Sequence, residues 1–172
     1  PAFFCDAAPA PPDILLFAKN MGNGFPVSAL ALADQIQVSA QALPGSTFAG
    51  NPFALASVRA TLECMASLPM TAMVLALEAT ARRHFEPLAP LGVCLRGSGA
   101  LWCLNLAPSL DMVQLAVRIK EAGILVSLNG RVIRLLPAAT IAPDLWDQAC
   151  ARIANACLGV VTADGSLAGS LA

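Results

Sequence analysis

Apolar and polar positions follow three rhythms along this chain. Up to about residue 52, short apolar runs alternate with Gly, Pro and Asn clusters at 20–26, 44–46 and 50–52. Ile14-Leu15-Leu16-Phe17-Ala18, bounded by Asp13 and a Gly-rich turn, predicts a buried strand, and 26–33 predicts a second. From Phe53 to about Phe85, Ala, Leu and Met dominate without a single glycine, and the texture is helical. Asn51 followed by Pro52 predicts the helix start, with Asn as N-cap and Pro at the first helical position. Positions 54, 58, 61/62 and 65 fall on one helical face. Pro69 predicts a break, giving two helices or one bent one. Arg82, Arg83 and His84 suit a helix C-terminus, which makes His84 a capping or surface residue.

Beyond Pro87 the pattern becomes α+β. Residues 92–96 and 100–106 read as two strands around Gly97-Ser98-Gly99. Residues 111–122 form an amphipathic helix capped by Asp111 or Ser109 and closed by Gly123. Residues 124–128 and 132–136 form a hairpin around Asn129-Gly130. Pro143 opens a last helix ending at Gly159, with Leu145, Ala149, Ile153 and Cys157 lining one face. Residues 162–172 are small and polar and read as a frayed tail. The expected domains are 1–66, an inter-domain helix over 67–87, a small domain over 88–160, and a flexible tail over 161–172.

Composition sharpens this picture. Hydrophobic residues make up 57% of the chain and charged ones 12%, with a mean hydropathy of +0.69. Ordinary soluble domains carry about twice that share of charge. The most apolar stretches, 64–77 and 97–110, are shorter than a bilayer requires and are interrupted by Pro69 and Pro108, so no membrane span is expected. Extensive contact with another polypeptide accounts for the composition instead. A net charge of −1 with no basic stripe argues against a nucleic-acid partner. None of the six cysteines forms a C-x-x-C, and the one histidine, His84, lies far from them in sequence, so no metal site is expected. Free, mostly buried thiols point to a reducing, cytoplasmic setting, and no signal peptide is read at the start of the chain.

Two segments carry candidate chemistry. In Phe17-Ala18-Lys19-Asn20-Met21-Gly22-Asn23-Gly24, a strand delivers one of only two lysines into a small-residue turn. An amine partly desolvated there can serve as a nucleophile, and glycines let a flat ligand approach the backbone. A solvated loop lysine is the plainer alternative. In 44–52, Ser46 and Thr47 precede the helix start, where hydroxyls and free N–H groups suit a phosphate. An ordinary capped turn explains them equally well.

Taken together, PDILLFAKNMGNGFPVSALA and GSTFAGNPFALASVRATLE resemble the class III (omega) aminotransferases, pyridoxal-phosphate enzymes of fold type I. LRGSGALWCLNL is similar to the family's Arg-Gly-x-Gly-Leu segment, and AGILVSLNGRVIRLLPAATI to the stretch closing its small domain. The resemblance covers roughly residues 12–158. It implies an α/β fold: the C-terminal part of the large domain, then a small α+β domain. It also implies an amino-group transfer between an amine or amino acid and a keto acid or aldehyde. Lys19 would hold pyridoxal 5'-phosphate as an aldimine and then act as the base for the proton shift. Ser46 and Thr47 would bind the phosphate of the neighbouring subunit's cofactor in a homodimer, and Arg134 a substrate carboxylate. A structural ion pair is the alternative for Arg134, and Arg96 reads as structural. The family's pyridine-nitrogen aspartate, its ring-stacking aromatic and its glycine-rich phosphate cup lie upstream of the lysine. None of them is found here, since Asp6 is too close to Lys19, so an N-terminal half is expected to be missing. An aminomutase or racemase, or a non-catalytic half-domain pairing with an active partner, would share these motifs.

Overall fold

The computed structural model describes residues 9–43 and 45–161; the readings at Cys5, Asp6 and the 162–172 tail fall outside them. The chain divides into two units between Thr71 and Ala72. Family resemblance and structure agree on an α/β fold.

In the first unit, β1 (Ile14–Phe17) pairs antiparallel with β2 (Ala29–Leu32), in the register Ile14↔Leu32 to Phe17↔Ala29. The pair closes where Ala33 N donates to Asp13 O at 2.8 Å and Gln35 Nε2 to Asp13 Oδ1 at 2.6 Å. Lys19–Gly22 forms a 3-10 turn between the strands. Helix α1 (Pro52–Ser67) starts as the sequence requires: the Asn51 side chain accepts from Phe53 N at 2.9 Å, and Pro52 occupies the first helical position. The expected burial of β1 is not found. Leu16 is 79% exposed, and Phe48 and Phe53 are 78% and 75% exposed. On α1 only Ala54 of the anticipated face is buried. The apolar pattern is correct, but the surfaces that would cover it are not among these residues.

The second unit has a closed core. Pro69 ends the α1 texture and α2 (Met70–Phe85) follows, so the break yields two helices. Strands β3 (Val93–Ser98), β4 (Leu101–Leu106), β5 (Ser127–Asn129) and β6 (Val132–Leu135) form an antiparallel sheet in the order β3-β4-β6-β5. Helices α3 (Met112–Glu121) and α4 (Pro143–Val161) complete it. Period-2 alternation puts Trp102, Leu104 and Leu106 of β4 into the core with Val93, Ile133 and Leu135. Leu77, Ala81 and Phe85 of α2, Leu115 and Ile119 of α3, and Cys150, Ile153 and Cys157 of α4 join them. Asp111 caps α3, accepting from Val113 N at 2.9 Å and Gln114 N at 3.1 Å.

Several expectations shift by one residue. Asn129 pairs with Val132, so the hairpin loop is Gly130-Arg131 rather than Asn129-Gly130. On α4, Leu145 is 57% exposed and Trp146 is the buried residue, because its indole Nε1 reaches Leu77 O at 3.0 Å. His84 caps nothing: its Nε2 lies 2.5 Å from Asp147 Oδ1, and Arg83 Nη2 contacts the same oxygen at 2.5 Å, tying α2 to α4. Both tryptophans are core residues, as expected.

Two polar clamps fix the loops. Glu78 accepts from Gly99 N at 2.8 Å and Trp102 Nε1 donates to Gly99 O at 2.8 Å. Arg82 pairs with Glu78 and lies 5.1 Å above the Trp102 ring. Arg131 donates to Leu106 O at 3.1 Å, Leu110 O at 2.6 Å and Ala107 O, holding the β4–α3 connection. Among the described residues no helix is long and apolar enough to cross a membrane.

Candidate active site

The lysine turn and the start of α1 line one cavity of about 1370 Å³. Lys19 borders it with Gly45, Ser46, Asn51 and Ala54, and Phe25, Val27, Leu55 and Val58 supply apolar wall. Thr47, paired with Ser46 in the sequence reading, is not among the lining residues.

Lys19 has an unusual backbone. Its φ is +53°, and Asn23 at the other end of the turn has φ +43°; these are the two non-glycine residues in the left-handed region among those described. Asn tolerates that conformation, whereas for lysine it costs on the order of 1–2 kcal/mol. The turn is secured by Met21 N to Ala18 O at 3.2 Å, Asn23 N to Asn20 O at 3.0 Å, and Phe25 N to Gly22 O at 3.0 Å. Lys19 is exposed, so the partial desolvation expected at a strand end is not supplied by the described residues.

Ser46 sits in a tight turn, its carbonyl accepting from Ala49 N at 3.2 Å, and Asn51 N donates to Phe48 O at 3.2 Å before α1 begins. An exposed hydroxyl close to a helix N-terminus suits an anion, a primary amine in a small-residue turn suits a carbonyl carbon, and both stand on this cavity wall beside apolar side chains.

Arg134 belongs to the second unit. It lies on the outward face of the sheet, in a cross-strand row with Arg96, Cys103 and Ser127. Neither guanidinium has an ion-pair or hydrogen-bond partner among the described residues. The ion-pair alternative for Arg134 and the structural role read for Arg96 therefore have no partner to rest on here. With β4 between them, two spacings of about 4.8 Å separate their backbones by roughly 10 Å.

The thiols depart from the sequence reading. Of the five described cysteines, all free, only Cys150 and Cys157 are buried, while Cys64 and Cys94 are exposed. Burial pushes Cys150 to about 12, helped by the Asp147 charge, and Cys157 to about 11.

Residues 2–157 match the sequence model of the family described as "Aminotransferase class-III". The acetylornithine aminotransferase of Listeria innocua is 33% identical over 144 residues, 80% of this chain and 37% of that protein. The enzyme of the same name from Mycolicibacterium smegmatis is 36% identical over 134 residues, 76% and 34% respectively. Among solved structures, the ornithine aminotransferase of Toxoplasma gondii, with PLP at partial occupancy in its active site, superposes with a TM-score of 0.80 at 29% identity, over 92% of this chain and 39% of that one. The acetylornithine aminotransferase of Elizabethkingia anophelis gives 0.75 at 27% identity, over 91% and 41%. The fold is that of a PLP-dependent aminotransferase, in part. The chain belongs to the class III aminotransferases. It spans 37% and 38% of the length of the first two curated relatives.

Proposed function

We propose that this chain is the lysine-bearing part of a pyridoxal-phosphate-dependent aminotransferase, moving an amino group between an amine or amino acid and a keto acid or aldehyde. The observation that carries the proposal is Lys19, held left-handed in a tight turn after β1 on the wall of the cavity beside α1. Its relatives named acetylornithine and ornithine aminotransferase favour transfer over mutase or racemase chemistry, and favour a donor bearing a terminal amine on an amino-acid frame.

In this reading Lys19 would hold the cofactor through Nζ, and its amine, once freed, would take the proton from the substrate carbon that bears the transferred amino group, as the base of the 1,3-proton shift. The cofactor, when bound, would supply the electron sink that makes that C–H acidic. Ser46 and Thr47 bind the phosphate of the neighbouring subunit's cofactor. Arg134 orients the substrate through its carboxylate, for which its planar guanidinium, without a partner among the described residues, is suited. The same proposal includes a homodimer, in keeping with the exposed Phe48 on the cavity wall and the exposed Phe53 on the first turn of α1. It also includes polypeptide beyond these residues, supplying the pyridine-nitrogen carboxylate and ring-stacking group, since the relatives are more than twice as long. Five free thiols support a cytoplasmic location.

Borohydride reduction of the full-length protein, followed by peptide mass mapping, tests the reading. A pyridoxyl group on Lys19 is expected. A label confined to Lys120, or none after incubation with pyridoxal phosphate, overturns it.

A further inference from the structure

Something must hold Lys19 in the left-handed region, since its own side chain does not favour it. Upstream the chain is pinned by β1, whose last residue Phe17 pairs with Ala29. Downstream, the turn ends at Gly22, the buried residue of the segment. There is no room for a side chain at that point, because a Cβ would lie 2.6 Å from Val27 Cγ1. The Gly22 carbonyl accepts two hydrogen bonds: Phe25 N at 3.0 Å and, from 35 residues away, Ser57 Oγ on α1 at 2.5 Å.

The Ser57 bond is unusual for a helical serine. Hydroxyls inside helices commonly turn back onto the carbonyl three or four residues earlier. Thr61 and Ser67 of the same helix do so, onto Ser57 O and Cys64 O, each at 2.8 Å. Ser57 forgoes the local acceptor and reaches the lysine turn. The helix that starts beside Ser46 is thereby fastened to the turn that carries Lys19, on the wall of the cavity both residues line.

We propose that Ser57 is a positioning residue for Lys19. By holding the Gly22 carbonyl, its hydroxyl keeps the turn closed, keeps Lys19 left-handed, and keeps the amine at a fixed place on the cavity wall. The inference rests on the reading of Lys19 as the cofactor lysine. Ser57 is not among the residues lining the cavity, and its effect runs through the backbone of residues 19–22.

The test uses the full-length protein stripped of cofactor, in wild-type, Ser57→Ala, Ser57→Thr and Ser57→Cys forms. Each is titrated with pyridoxal phosphate, trapped with borohydride, and scored for the pyridoxyl-Lys19 peptide, alongside thermal melts of the cofactor-free protein. Ser57→Ala is expected to weaken capture at Lys19 about three- to tenfold, the worth of one such hydrogen bond. Threonine restores capture to within about twofold, because it keeps the donor. Cysteine keeps the volume with only a weak donor. It is expected to behave as alanine does, and it decides the matter if the alanine protein does not fold. Equal capture in wild type and the cysteine variant overturns the proposal, as does a loss that follows melting temperature and is not rescued by threonine. A wild-type protein unlabelled at Lys19 overturns the underlying reading and this inference with it, whereas a labelled wild type with indifferent variants overturns the inference alone.

Discussion

His84 Nε2 lies 2.5 Å from Asp147 Oδ1, bridging 63 positions of chain and joining the last turn of α2 to the first turns of α4. Arg83 reaches the same oxygen. The Asp147 carboxyl is consequently held below its ordinary 3.8, first by the His84 hydrogen bond and then by Arg83. A lowered carboxyl stabilises the fold above its ordinary value, and that stabilisation is lost as pH falls below 3.8 through the lowered value. Asp147→Asn should therefore melt a few degrees below wild type at neutral pH, with the gap closing in strongly acidic buffer. Paired thermal melts across that range check it; a gap that does not change with pH contradicts the assignment.

The β3–β4 hairpin should depend on Gly97. At φ +138°, a Cβ there would meet the Leu101 carbonyl oxygen and come within 2.9 Å of Trp102 Cα. Gly97→Ala is expected to cost about 4 kcal/mol or more. Gly130→Ala, at φ +56° with no atom within 4 Å of the new carbon, should cost only about 1 kcal/mol. Urea denaturation of the two variants separates a steric cost from a conformational one.

Cys150 and Cys157 should resist alkylation in the folded protein at pH 8 and react on unfolding, because burial places them at about 12 and about 11. Their raised values stabilise the fold below the ordinary thiol value of 9.0, an effect lost as pH rises through 11 and 12. Mass spectrometry after timed iodoacetamide exposure, with and without urea, reads the difference. Rapid native labelling of either thiol would contradict the packing of α4.

Arg134→Gln in the full-length protein should raise KM for a carboxylate-bearing substrate by about 10- to 100-fold, with a smaller change in kcat. Lysine should recover only part of the loss, since an ammonium lacks the planar fork. If KM for such a substrate stays unchanged, the assigned role is wrong.

Much of this was legible in the residues. Asn51-Pro52 and Pro69 act through local backbone chemistry, so the helix start and break stand where the sequence put them. The one-residue shifts came from longer-range demands. At the start of α4 Trp146 takes the buried place read for Leu145, because its indole reaches the Leu77 carbonyl. Ile153 and Cys157 are buried as the face predicts. The cross-strand pairing of Asn129 with Val132 moved the loop. Lys19 and Ser46 were visible as residue types in turns, and the structure brings them to one cavity wall. The strain at Lys19 and the Ser57 tether were not visible, because one is a backbone angle and the other joins positions 35 apart. A serine amid the Ala and Leu of α1 was the only available signal. Burial was misjudged for β1 because an apolar run states what must be covered without saying by what.

Arg131 gathers the carbonyls of residues 106, 107 and 110 onto one guanidinium, whereas the adjoining Gly130 has empty space beside it. Two neighbouring surface loops thus differ in how freely they can vary in length. The hairpin tip can accept extra residues, as exposed tips commonly do. The β4–α3 connection cannot, because each added residue would swing at least one carbonyl off a fork whose geometry is rigid. Natural insertions and engineered tags in this half of the protein belong at residue 130, next in sequence to the arginine that fixes the length of the other loop.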